Sequence, residues 1–277
     1  MEVDAYLKRI KSEDYKEVSL ENLRKLHANH LLNVPFENFG YSLNEYIKID
    51  LESIFNKIVL SKRGGICCEL NQLFAWLLKE LGYNLQLISC MFLPMTSPIF
   101  YPWNAHLALI VHLDNKSYLV DVGITMGFRH PLEFVTNKIQ QDKAGHFLIE
   151  KDVESNDLNN IFSLLRTSKD LNSSEVNWRI HYKFNIDSKR IDDFQEMLDW
   201  VQSSDCPRMF NRSLCLKHTE NSIKKLIVDI LTEIIFKDGI EIDQKETKIS
   251  EEALIDTIEK EFSIKISKEF KPRNIPL

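Results

Sequence analysis

In the run Lys62-Arg63-Gly64-Gly65-Ile66-Cys67-Cys68-Glu69-Leu70-Asn71, two glycines lead into adjacent thiols on the first turn of an apolar helix pattern. A thiol placed there meets unpaired amide hydrogens and the positive dipole end of the helix, which favour its ionised form. The thiolate is the form that attacks carbonyl carbon. The glycines are expected to let the backbone turn tightly. The competing reading is a pair of small residues buried at a helix start and inert, the usual state of a free cysteine.

A nucleophilic thiol needs a base, and the base needs an acceptor that fixes its tautomer and stabilises the imidazolium. Of the eight histidines, His106 opens a strand pattern just after the loop Pro94 to Asn104. Asp121 closes the next strand pattern, just before Gly123. Strand ends beside loops are where side chains converge on a site. A two-residue hairpin about Asn115-Lys116 sets Asp121 opposite Ile110, on the face of His106 but several residues along. Contact then requires a bulge, strong twist or another register. His27 and His30 lie one turn apart on a helix without a third ligand, and His112 falls in mid-strand. His130, His146, His181 and His218 have no neighbour that singles them out, and HExxH, GxSxG, Walker and GxGxxG motifs are absent.

These residues must be held by three regions of different texture. In the first, Asp4, Ser19 and Asp50 are expected to cap helices with one-sided apolar stripes, and the cysteine helix runs on through Leu70, Phe74, Leu77, Leu78 and Leu81 to a C-terminal cap at Gly82. From Leu85 to about Asp187 short β-formers predominate: Leu85–Leu93, Ala105–Leu113 and Ser117–Val122, then runs at Phe134, His146–Ile149 and Trp178–Asn185. That unit reads as a small barrel, with Lys151 to Asn160 an exposed polar connection. The last region mixes a helix over Arg190–Gln202, strands at Ser213–Lys217 and Ile240–Ile242, and a closing helix capped by Ser250. Lys225–Phe236 fits strand or helix.

Composition narrows the function. A 277-residue chain that is 44% hydrophobic and 27% charged is an ordinary globular protein. Its net charge of -6 and pI near 5.8 argue against nucleic acid or anionic membranes as partners. No apolar run approaches a membrane span and no basic-then-apolar leader follows Met1, so a cytoplasmic location is expected. Five cysteines (Cys67, Cys68, Cys90, Cys206, Cys215) without CxxC pairs or a His/Cys ladder speak against a disulfide framework and against a metal site.

Arg63-Gly64-Gly65-Ile66-Cys67-Cys68-Glu69-Leu70-Asn71 resembles the RGGxCxExN signature of the arylamine N-acetyltransferases, and Val34-Pro35-Phe36-Glu37-Asn38-Phe39 their upstream (I/V)PFEN element. Asn104-Ala105-His106-Leu107 and Val120-Asp121-Val122-Gly123 fall where that family carries its histidine and aspartate. The resemblance implies an α+β, papain-like arrangement with a helical bundle (1–84), a β-barrel (85–187) and an α/β lid (188–277). It implies Cys67, His106 and Asp121 as the triad, with Cys67 rather than Cys68 the nucleophile. Asn71 would reach the Asp121 carboxylate, and Arg63 would pair with Glu37 in a structural ion pair. No bound cofactor is implied; acetyl-CoA is the donor substrate and a small aromatic amine or hydrazine the acceptor, in a ping-pong reaction through an acetyl-cysteine thioester. Phe36, Ile124 and Phe128 are candidate walls of the acceptor pocket, although Phe128 fits core equally. Where the family often has an aromatic and a glycine after Asp-x-Gly, this chain has Ile124-Thr125-Met126-Gly127-Phe128, which bears on acceptor preference. Two other readings compete: another papain-like thiol enzyme of peptidase or transglutaminase type, and a non-catalytic binding module. Oligomeric state does not follow from the residues.

Overall fold

The computed structural model describes residues 1–93, 101–152, 160–203 and 211–275. Helix α1 (Val3–Arg9) begins at Glu2 rather than at an Asp4 cap; Asp4 sits within the first turn, paired with Lys16 at 2.7 Å. Ser19 caps α2 (Leu20–Asn33) by accepting from the Asn22 amide, and β1 (Phe36–Glu37) follows. Asp50 caps α3 (Leu51–Phe55) in the same way, and that helix widens into a π-turn over Asn56–Leu60. Helix α4 (Cys67–Glu80) ends with Gly82 at a φ of +94°, a backbone region where glycine carries no side-chain penalty.

Strands β2 (Asn84–Phe92), β3 (His106–Leu113), β4 (Lys116–Val120), β5 (Leu132–Glu133), β6 (Gln140–Asp142), β7 (Gly145–Lys151), β8 (Ile161–Thr167) and β9 (Arg179–Lys189) form one antiparallel sheet in the order β5-β4-β3-β2-β9-β8-β7-β6. The sheet curls until its end strands nearly meet: Gln140 on β6 exchanges side-chain hydrogen bonds with both backbone groups of Glu133 on β5. After α5 (Gln195–Gln202) come β10 (Leu214–His218), β11 (Ser222–Ile227), β12 (Ile230–Lys237), β13 (Ile240–Lys248) and α6 (Glu251–Thr257). These strands form a meander that β1 joins beside β10. The stretch Lys225–Phe236 is neither one strand nor a helix, because Val228 at a φ of +57° turns the chain between β11 and β12. Strand β6 is short and polar, with no run of β-formers to mark it, whereas β8 is an apolar run between Asn160 and Ser168 that fits the strand pattern but lies outside the runs named above. The 151–160 connection is only partly visible: Lys151 ends β7, and 153–159 lie outside the described residues.

Strand β3 explains why its sequence is an unbroken apolar run. Leu107, Leu109 and Val111 face the helices and share a core with Leu70, Leu73, Phe74, Leu77 and Leu78 of α4. Ala108 and Ile110 point the other way, into the barrel interior with Phe147, Leu164 and Phe184. A strand covered on both faces has no reason to alternate. Each fully buried Leu or Phe is worth about 1.5–3 kcal/mol relative to exposure, so α4 is fixed on the barrel mainly by packing. The second sheet is covered likewise: Leu226 and Cys215 meet Leu254 and Ile258 of the closing helical segment. From the same sheet Leu216, Ile223 and Phe236 meet Met126 and Ala144 beside the barrel.

The hairpin between β3 and β4 corrects the expected register. Its two turn residues are Asp114 and Asn115, both left-handed (φ of 50° and 59°), so Leu113 pairs with Lys116 and Leu109 with Val120. Consecutive left-handed residues make the tight turn that matches strand twist, and Asp and Asn tolerate that conformation. One step beyond the last pair, Asp121 comes abreast of Ala108 rather than Ile110. The separation from His106 that had seemed to need a bulge is thereby shortened.

Candidate active site

Cys67 is the first residue of α4 and is half-buried. The loop that delivers it is held by charge. Arg63 grips Glu37 with two hydrogen bonds (2.9 and 3.1 Å), and Glu37 also accepts from the Phe39 amide. Glu69, one turn into α4, accepts from the Ile66 amide at 2.9 Å and from Lys57 Nζ at 2.9 and 3.0 Å. Burial alone would raise the Glu37 carboxyl; the charges of Lys57 and Arg63 outweigh it and hold the group below its ordinary value. For Glu69 burial prevails, and its carboxyl lies above the ordinary value despite Lys57. The glycines serve close approach rather than turning: neither adopts a positive φ, and a Cβ on Gly64 would stand 2.1 Å from the Pro35 carbonyl oxygen.

His106 and Asp121 meet at the end of the β3–β4 ladder. Nε2 of His106 lies 2.7 Å from Oδ2 of Asp121, and both side chains are buried. A carboxylate in acid-base contact at Nε2 leaves Nδ1 as the nitrogen for another partner. Burial would lower the His106 pKa, but the Asp121 charge and hydrogen bond, followed by the hydrogen bond and charge of Cys67, raise it to about 10. Asp121 responds oppositely: burial pushes its carboxyl up, and His106, Asn71 and the Gly123 amide bring it below the ordinary value. The Cys67 sulfur also lies 3.8 Å from the Ala105 carbonyl oxygen. The ring of Tyr182, fully buried, flanks His106 at 5.3 Å between centroids.

Beyond the ladder, residues 121–123 are held by side chains. The Asp121 amide donates to Nε2 of His27 (3.2 Å), the Val122 amide to Oδ1 of Asn71 (2.9 Å), and the Gly123 amide to Oδ1 of Asp121 (2.9 Å). Asn71 donates in return to Oδ1 of Asp121 (2.8 Å) and to the Leu107 carbonyl (2.6 Å), so α4 is latched to both strands. Gly123 packs on the cysteine itself: a Cβ there would lie 2.7 Å from the Cys67 Cα.

The structure therefore brings Cys67, His106, Asp121 and Asn71 into one cluster, with Arg63 and Glu37 in the adjoining loop. Cys68 turns away into an apolar pocket with Ile47, Leu198 and Val201, and burial pushes its thiol far above the ordinary value. The candidate pocket walls divide. Phe128 is fully buried, stacked on His27 at 5.5 Å and edge-on to Phe147, and Ile124 shares the same core; both are core residues because the loop after Gly123 folds inward. Phe36 remains partly accessible. Residues 94–100, in the loop before His106, lie outside the described residues. The sequence reading missed Lys57, Glu69, Tyr182 and His27. A signal existed for His27: with His30 it occupies the buried stripe of α2 beside Leu23, Leu26 and Leu31.

A thiol at a helix start, beside an imidazole hydrogen-bonded to a buried carboxylate, is an arrangement that can generate a thiolate and attack carbonyl carbon, here on an α+β scaffold. A family model described as N-acetyltransferase matches residues 19–270. The pineal gland arylamine N-acetyltransferase isozyme NAT-3 of Gallus gallus is 31% identical, over 99% of this chain and 98% of the relative. The liver isozyme of the same organism is 27% identical over 99% of both. Among solved structures, the arylamine N-acetyltransferase of Mycobacterium abscessus superposes with a TM-score of 0.84 at 23% identity, covering 96% of this chain and 91% of that one. The Mycobacterium marinum arylamine N-acetyltransferase in complex with CoA does so at 0.82 and 21%, covering 95% and 93%. The chain belongs to the arylamine N-acetyltransferase family and is an acetyltransferase.

Proposed function

We propose that this enzyme moves an acetyl group from acetyl-CoA to the nitrogen of an arylamine or arylhydrazine, with Cys67 as its carrier and His106 and Asp121 completing the triad. The observation that carries the reading is the buried His106–Asp121 pair at 2.7 Å, whose imidazole is raised to about 10 by Asp121 and then Cys67. An imidazolium of that affinity stabilises a thiolate at Cys67. The thiolate attacks the thioester carbonyl of acetyl-CoA, the backbone amide of Cys67 or of a neighbouring residue donates to the oxyanion, and the C–S bond to CoA breaks as CoA takes the His106 proton. The amine then attacks acetyl-Cys67, His106 accepts the proton that nitrogen sheds, and the thiolate–imidazolium pair is restored. Thioester exchange is nearly balanced and amide formation is not, which gives the sequence its direction.

Arg63, Glu37 and Asn71 support the geometry, and Phe36 is the candidate pocket wall that accessibility leaves. Residues 1–84, 85–187 and 188–277 act in this reading as bundle, barrel and lid of a papain-like enzyme, although β1 of the first region completes the sheet of the third. No described helix is long and apolar enough to cross a membrane, and cytoplasmic handling of foreign amines is the role such chemistry suits. The deciding experiment mixes enzyme with acetyl-CoA alone and measures a stoichiometric burst of free CoA and an acetylated Cys67 by mass spectrometry. Adding an aniline should discharge it. Transfer that survives Cys67→Ser, or peptide cleavage without acetyl transfer, would sink the proposal.

A further inference from the structure

We infer that His27 is a positioning residue for this reaction: its imidazole fixes the backbone from which the Asp121 carboxylate projects toward His106. The inference rests on the triad reading above. Pairing between β3 and β4 stops at Leu109 and Val120, so the next amide, that of Asp121, is beyond the ladder. His27, reaching in from α2, supplies the acceptor at 3.2 Å. Its other nitrogen, Nδ1, is 2.9 Å from the carbonyl oxygen of Arg129. A carbonyl only accepts, so Nδ1 carries the hydrogen and Nε2 presents a lone pair. Both partners are backbone groups, and together they prescribe one neutral tautomer.

The ring has no freedom to leave. It is fully buried, stacked on Phe128 at 5.5 Å and edge-on to Phe74 at 6.1 Å. Burial lowers its pKa to about 4 against the pull of the Arg129 carbonyl and of Asp121 and Asp142, with His130 adding to the lowering, so Nε2 stays an acceptor at neutral pH. The same Arg129 is anchored elsewhere: its amide donates to Asp142 at 2.9 Å and its guanidinium to the carbonyls of Glu220 and Ser222. The position of the triad carboxylate is thereby referred to α2 and to the second sheet, neither of which holds a triad residue.

Two substitutions separate the two hydrogen bonds. In His27→Asn the amide nitrogen takes the place of Nδ1 and keeps Arg129, but nothing accepts from Asp121. In His27→Gln the amide reaches the place of Nε2 and its oxygen accepts from Asp121. The readout is iodoacetamide alkylation of Cys67 against pH, localised by fragment mass spectrometry, with thermal melting to certify the fold. Misplacement of a catalytic group by a fraction of an ångström costs about tenfold or more, so His27→Asn should alkylate at least about tenfold more slowly, with the acid limb of its profile displaced to higher pH. His27→Gln should recover to within about threefold. Wild-type behaviour in His27→Asn, or equal slowing in two equally folded variants, overturns the inference. Should His27→Asn fail to fold, nitrogen-15 histidine spectra of the wild-type enzyme decide it, since hydrogen on Nε2 of His27 would be fatal. His106→Asn and Asp121→Asn serve as references: wild-type reactivity in both would mean that the triad reading had failed, whatever His27 does.

Discussion

Two of the ion pairs around Cys67 differ in what their cations can do. On the barrel side the cation is an imidazole with an ordinary value of 6.5, raised to about 10, which can take up or surrender a proton within a reaction cycle. On the helix side it is the Arg63 guanidinium, whose already high pKa Glu37 raises further. The first pair is therefore suited to chemistry and the second to holding a loop, though in both a fully buried carboxylate is held, at 2.7 Å in one and 2.9 Å in the other. Proximity to the thiol does not make an ion pair catalytic; exchangeability of its proton does.

Replacing the barrel-side carboxylate should produce the largest effect. Asp121→Asn is expected to lower kcat/KM for acetyl transfer by about a thousandfold or more, as loss of the orienting carboxylate does in related triads. Residual turnover within tenfold of wild type would erase the distinction between the pairs. Glu37→Gln should act through the fold, since it removes the buried carboxylate that the part-buried Arg63 grips and leaves Glu45 at 3.6 Å as its remaining counter-charge; the expected cost is about 1–3 kcal/mol, measured as a fall in denaturation free energy, while the surviving native enzyme alkylates within about tenfold of wild type. Gly123→Ala tests the junction between the two sides: its Cβ would press on the Cys67 Cα and the Asn71 amide. Overpacking of that kind costs about 1–3 kcal/mol, and acetylation should slow as well.

The pairs also predict opposite limbs of a stability profile. His106 binds its proton more tightly when folded, so its contribution is whole below pH 6.5 and fades as pH climbs toward about 10. Glu37 is held below its ordinary 4.5, so its contribution exists above that pH and fades on acidification. Melting temperatures across this range should show the alkaline loss vanish in His106→Asn and the acid loss shrink in Glu37→Gln. The exposed Lys25–Glu21 pair on α2 is the control: Lys25→Ala should leave activity and melting unchanged.

Much of this site could be read from the chain because its parts are local. The glycine-led helix, the caps at Ser19, Asp50 and Ser250, and the end of α4 at Gly82 are each specified within a few residues. His106 and Asp121 were located by motif, but their contact was not derivable, since it depends on which two residues form the turn. Asp114-Asn115 and Asn115-Lys116 are both plausible from composition, and only the first closes the distance. The three amides of residues 121–123 were equally hidden, because their acceptors come from 94 and 51 residues away and from Asp121 itself. The burial of Ile124 and Phe128 was hidden for the same reason, because nothing local tells whether a loop after a strand folds inward or out.

That surface turn has a practical side. Exposed hairpin tips made of polar residues are ordinarily the first choice for tags, linkers or inserted domains. Here, Asp114 and Asn115 determine which residue of β4 stands beside which residue of β3, and a slip of one residue would carry Asp121 to the opposite face of the sheet. This exposed tip is thus coupled to the buried His106–Asp121 pair, and a fusion there is expected to silence the enzyme while leaving most of its fold in place.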